Sequence, residues 1–249
     1  MQGDRPTHPE LLDWLASELI SQHWQLKPVH RLIMKSEAYQ RSSEGSEQEL
    51  QQDPMNQAFW RFDMRRLTAE EVRDTVLNLS GTLSRKMFGP GVYVEIPREI
   101  LAGQSVPGNG WGKSPPEEQV RRSIYVHAKR SLITPILESF DVAETDRSAP
   151  VRFATVQPTQ ALGMLNGSFL NSQAGSFAIR LQRDVGEDVS LQVRRALQWA
   201  TGRMPSVSEV ERGTALIQSL IHKHHLTAGS ALRQFCLVVL SLNELVYLD

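Results

Sequence analysis

The chain has 249 residues, 40% hydrophobic and 22% charged, with a formal net charge of −1. That balance suits a folded globular protein with enough chain to bury a sizeable core, and it leaves no net field to draw in nucleic acid or an anionic surface. The longest apolar run, Phe235 to Leu240, is far too short to span a membrane. Met1 to Pro6 is polar and lacks the apolar centre of a signal peptide, and the chain passes at once into what reads as mid-domain sequence. A single cysteine, Cys236, excludes an intrachain disulfide and a haem-attachment motif, so no cofactor is expected. Its apolar neighbours make it a core residue.

The first helix is expected to enter through Thr7, Pro9 and Glu10, with Leu11, Leu12, Leu15 and Leu19 as its apolar stripe and Trp14 at the edge. A second is expected from Pro28, burying Val29, Leu32 and Ile33. Gln40 to Asp53 is polar and without period, which reads as a surface loop. Thr68 and Glu71 make a capping box for a helix carrying Val72, Val76, Leu79 and Leu83. Glu70, Glu71, Arg73 and Asp74 share that helix. They read as a structural ion-pair network, with anion binding as the alternative.

Gly89 to Pro116 holds six Gly and five Pro, a long connection in which only Val92 to Ile96 suggests an extended piece. Trp111, between two glycines, is either an anchor pinning this loop or a stacking surface for a ligand such as a sugar ring. No phosphate-cradling motif is present, because the glycines do not follow a strand and open a helix.

Arg122 to Arg130 alternates: Ile124, Val126 and Ala128 point one way, and Tyr125, His127 and Lys129 the other, as in a strand. If the second face meets the glycine-rich loop, it walls a cleft. If it meets solvent, it is a plain edge. A short helix over Ile133 to Phe140 follows, with Glu138 and Asp141 near its end, and then a charged connector to Arg152. Pro158 opens a helix that Asn166 and Gly167 should end in a left-handed cap, after which Ser168 caps the next. The two helix starts lie close in sequence to Lys129, Arg130 and Arg152, a setting that favours an anionic group. The candidate ligand-binding residues are Arg122, Tyr125, Arg130, Gln160, Asn166 and Trp111. The candidate acid–base residues are Asp141, Glu138, His127 and Lys129.

Towards the C-terminus, Val193, Ala196, Leu197 and Ala200 mark a helix stopped by Gly202, and Ser206 with Glu209 caps the next. His222, His224 and His225 crowd near its end. Two of them, His222 and His225, could share a metal, but histidines there are also favoured by the helix dipole and no carboxylate or cysteine stands nearby. No metal site is expected. The last helix, about Ser230 to Tyr247, is apolar almost all round and reads as the buried centre of a bundle.

The runs RRSIYVHAKRSLITPILESFD (121–141) and TVQPTQALGMLN (155–166) resemble a C-terminal domain of unknown function in large planctomycete proteins that often also carry a c-type cytochrome domain. THPELLDWLASE, LKPVHRLIMKSEAYQRSS, RRLTAEEVRD and the closing LVVLSLNELVYLD fit the same family in the same order. The resemblance implies an extracytoplasmic setting, and a c-type cytochrome domain or a polymeric substrate as partner. It supplies no catalytic residues. Relative to that family the chain is expected to lack the beginning of the domain, so a site shared with that part would be incomplete.

The expected fold is mainly α, a helical bundle-like domain with a small β element near residues 92–96 and 122–129 and a long Gly/Pro-rich loop. It is expected to form one domain over 1–249, with a sub-boundary in the loop 84–121 as the alternative. No nucleophile motif is present, so enzyme status stays open. A binding or accessory module, a hydrolase or oxidoreductase with its polar site in 121–171, and a helical scaffold are the rival readings.

Overall fold

The computed structural model describes residues 5–143, 145 and 152–248. Most of the charged connector expected between Asp141 and Arg152 lies outside them, as does Met1 to Asp4. Among the described residues are thirteen α-helices and one two-stranded sheet, so the fold is mainly α with a small β element. The chain divides into two compact units, Met1–Arg65 with Tyr247–Asp249, and Arg66–Val246. The sheet pairs β1 (Arg65–Arg66) with β2 (Tyr247–Leu248).

In the first unit α1 (Pro9–Ser21) packs on α2 (Leu26–Lys35). The N-cap of α1 is His8 rather than Thr7. Neither helix has a buried residue, so the stripes expected to be core stay partly open. A two-helix hairpin with loops has too little surface to close over both stripes. Within the expected polar loop lies a short helix, α3 (Glu47–Gln52), started by a reciprocal capping box of Ser46 and Glu49.

The second unit begins with α4 (Ala69–Ser80), capped by Thr68 and Glu71 as the sequence predicts and ended by Gly81 in the left-handed region. The Gly/Pro-rich connection carries α5 (Arg98–Ala102) and α6 (Pro116–Gln119). After these come α7 (Pro135–Ser139), α8 (Pro158–Asn166), α9 (Ser168–Val185), α10 (Val189–Thr201), α11 (Val207–His224), α12 (Ala228–Leu240) and α13 (Asn243–Val246). The core sits between α9 and α12. Leu170, Ala174, Phe177 and Leu181 repeat at helical spacing along α9 and meet α12, whose Ala231, Leu232, Phe235, Cys236, Val239 and Leu240 are buried. On α9, α4 lays Val72, Val76 and Leu77, while α10 and α11 complete the bundle with Val193, Ala196, Val210 and Ile217.

Two local expectations fail. Arg122 to Arg130 is not a strand: Ser123–Tyr125 is a 3₁₀ turn, and the only pairing with the 92–96 segment is a single parallel bridge, Val92 to Val126. The cause is α4. Asp74 takes hydrogen bonds from the Ser123 amide and hydroxyl, both at 2.7 Å, which curls the backbone there and buries Ser123 while leaving Ile124 75% exposed. Gly167 has φ −65°, so α8 does not end in a left-handed cap. Gly167 serves instead as the N-cap of α9, a junction so tight that a Cβ there would lie 2.5 Å from the Gly163 carbonyl oxygen.

Candidate functional site

The helical period places Glu70, Asp74 and Asn78 in one row along α4, with Glu71 and Thr75 beside them, while Val72, Val76 and Leu77 face the core. That polar side forms the floor of an open depression of about 690 Å³, which Leu67, Thr68, Leu83, Arg122, Ile124 and Arg152 complete. Arg152 donates to Glu70 at 2.7 Å, and the Arg122 guanidinium lies 3.8 Å from Asp74. The other oxygen of Asp74 is taken by Ser123.

Arg73 holds this wall from behind. It is 2% exposed and donates to the Arg121 and Gln119 carbonyls at 2.9 and 2.5 Å and to the Ser123 hydroxyl at 3.1 Å, with its guanidinium over the Phe169 ring. Burial pushes its pKa down to about 10, against the pull of Asp74. Arg73 is therefore spent on the fold. Arg73 and Asp74 of the expected ion-pair network stand 3.8 Å apart, but its members divide: Arg73 works inward, while Glu70 and Asp74 face the depression and pair with Arg152 and Arg122.

Asp141 belongs to a different cluster. Arg66 donates to it at 2.8 Å, as does the Thr155 amide, and the Thr155 hydroxyl is 3.0 Å away. Burial works against its charge, but the Thr155 amide, the Arg66 guanidinium and the Thr155 hydroxyl outweigh it and hold the carboxyl below its ordinary value. Gln160 joins through Thr155, donating to its carbonyl at 2.9 Å while accepting from the Gln157 amide.

Trp111 and His127 come together in a third place. Their rings and that of Tyr93 form a cluster with centroids 4.7 to 5.8 Å apart, and the Trp111 indole donates to the Val94 carbonyl at 3.0 Å. Lys129 donates to the Asn109 carbonyl in the same loop. Trp111 thus anchors the Gly/Pro-rich segment. Tyr125 accepts from the Phe88 amide at 2.8 Å and stacks on Arg121, whose guanidinium also gathers the Lys86, Phe88 and Pro90 carbonyls. Glu138, Arg130 and Asn166 are exposed, Asn166 donating to the Leu162 carbonyl of its own helix.

His222, His224 and His225 are exposed at the end of α11. Among the described residues no group of three or more His, Cys, Asp or Glu is arranged to hold a metal ion. Nor is any helix among them long and apolar enough to cross a membrane.

Of the residues singled out from sequence, the structure brings Asp141 together with Gln160, and Trp111 with His127 and Lys129. Of the candidate ligand-binding and acid–base residues, Arg122 lines the depression, where it joins Glu70, Glu71 and Asp74 of the expected ion-pair network and Arg152. Thr75 and Asn78 carry no expectation from sequence, and Ile124 was expected only on one face of a strand. The i, i+4 repeat of Glu70, Asp74 and Asn78 was a readable signal for that polar face, whereas the position of Ile124 depends on a turn that only tertiary contacts create.

No curated protein and no solved structure matches the chain. The family model described as "PSD1: Protein of unknown function (DUF1553)" matches residues 1–217, and the chain belongs to that family.

Proposed function

We propose that this protein is an extracytoplasmic binding or accessory module of a cytochrome-associated system, and that it holds a polar segment of a polymer or partner protein in the depression along α4. One observation carries the reading. The trough is open, its floor is a row of carboxylate, hydroxyl and amide groups, and two guanidinium groups flank it. Acceptors and forked donors side by side suit a chain rich in hydroxyl or amide groups. The extracytoplasmic setting and the cytochrome neighbourhood rest on the planctomycete resemblance of the 121–141 and 155–166 runs.

A hydrolase or oxidoreductase with its site in 121–171 finds less support. Asp141 is held ionised by Arg66 and Thr155, the reverse of what a general acid near neutral pH needs.

Isothermal titration of the purified protein with soluble polysaccharide fragments and with polar peptides tests the proposal. Binding of at least one class is expected, weakened about tenfold or more, roughly 1.4 kcal/mol, by replacing Arg122 and Arg152 with alanine. The double variant should melt as the parent does, because both side chains are about half exposed. Binding that ignores both substitutions would remove the depression from consideration. Ligand broken down during the titration would favour the enzyme reading.

A further inference from the structure

A second concavity, of about 380 Å³, lies between α8, α11 and α12 and has a different chemistry. Its walls are Leu165, Leu216, Leu220, Leu226, Leu237 and Val238, with His224 and Gln234 as the polar liners among the described residues. Leu165, Leu216 and Val238 are 44%, 37% and 43% exposed, although the same helices bury Met164, Ile217 and Leu237 one position away. The groove is therefore an apolar face left open beside a well-packed core.

The charge along the stretches that line it runs one way. From Gly213 to Asn243 the sequence has no Asp or Glu, but it has Lys223, Arg233 and the three histidines 222, 224 and 225. Helix α8 carries no charged residue at all. Lys223, Arg233 and all three histidines are exposed. A convex apolar patch would suit a bilayer, whereas a concave one lined by leucines suits the ridge of a helix, whose side chains at i, i+3 or i+4, and i+7 fill such a slot.

We infer that this groove receives an amphipathic helix of a partner protein, one with a leucine-like apolar ridge and acidic flanks. The leucine walls take the ridge, and exposed Lys223 and Arg233, on stretches of α11 and α12 that carry no carboxylate, select acidic flanks over basic ones. The site is separate from the α4 depression and does not depend on the function proposed there.

The test titrates the whole protein into two labelled 18-residue helical peptides, followed by fluorescence anisotropy. Both carry leucine at i, i+3, i+4 and i+7, and the remaining positions are mostly glutamate in one and mostly lysine in the other. The glutamate peptide is expected to bind about tenfold or more tightly than the lysine peptide, the discrimination of a charge-matched rim. Leu216→Glu and Val238→Glu should each weaken the glutamate peptide about tenfold, whereas Leu216→Met should leave it bound. Both glutamates replace exposed side chains, so helical circular dichroism and melting should stay at parent values. Equal binding of the two peptides, binding by neither, or binding unaffected by Leu216→Glu overturns the inference. Sedimentation supplies the remaining outcome: self-association of the parent abolished by Leu216→Glu would make the groove a contact between copies, which also overturns it.

Discussion

Arg66, Arg73 and Arg121 are buried cations that make most of their hydrogen bonds to main-chain carbonyls rather than to carboxylates. Irregular backbone leaves carbonyls without helical partners, and a guanidinium with five donors satisfies several at once. Arg121 does this for residues 86–90, Arg73 for 119–121, and Arg66 for Phe140 and Thr155. Asp141 completes the Arg66 cluster, and its lowered pKa links it to stability. A carboxyl whose folded value lies below its unfolded one stabilises the protein above the unfolded value, and that stability is lost as pH falls through the folded value. Asp141→Asn is expected to cost about 1–3 kcal/mol at pH ~7 and to reduce the loss of stability on acidification. Urea unfolding at pH ~7 and pH ~3 measures both. A deficit equally large at the lower pH would mean that the carboxylate charge is not what Arg66 and Thr155 stabilise.

Helix α4 gives one side to the core and the other to the depression, and its end is sealed from outside itself. Arg180 of α9 donates to the Asn78 and Leu79 carbonyls, both at 2.8 Å, and stacks on Trp199 of α10. The last turn of α4 is thus fastened to the helix beneath it, which keeps the polar row in register with Arg122 and Arg152. Helix α11 depends on a close approach. A Cβ on Gly213 would lie 2.6 Å from a Val193 methyl and 3.0 Å from the Phe235 ring. Gly213→Ala should therefore destabilise by about 1–3 kcal/mol through overpacking, more than the gain of up to about 1 kcal/mol from removing a helical glycine. Thermal melts decide it, since a more stable variant would show that α10 and α12 can yield there.

The unit Arg66–Val246 contains the α9–α12 core, the depression and the apolar groove. The core residues named for it all lie within its own sequence, so a fragment spanning 66–246 is expected to fold alone. It should show a helical circular dichroism spectrum and one cooperative thermal transition. A fragment without that transition would mean that this core does not close without the rest of the chain. The family match runs from residue 1 to 217, across both units and into α11.

Where a structural feature depends on neighbours within one helical turn, the amino-acid order settled it. The Thr68–Glu71 and Ser206–Glu209 capping boxes and the Gly202 stop are local properties, and the structure has them all, whereas the single last helix expected over Ser230 to Tyr247 stops at Leu240 and α13 begins at Asn243. Ser46 and Glu49 carried the same signal inside a stretch read as loop, where polar composition masked a short helix. Features that need a partner distant in sequence were left to tertiary structure. Alternation over Arg122 to Arg130 becomes a strand only beside another strand, and here Asp74 of α4 captures Ser123 instead. A leucine stripe is core only where another element covers it, which separates Leu170 of α9 from Leu216 of α11. Both concavities arise in the same way, because an unfilled space is a property of several elements together and no single stretch of sequence encodes it.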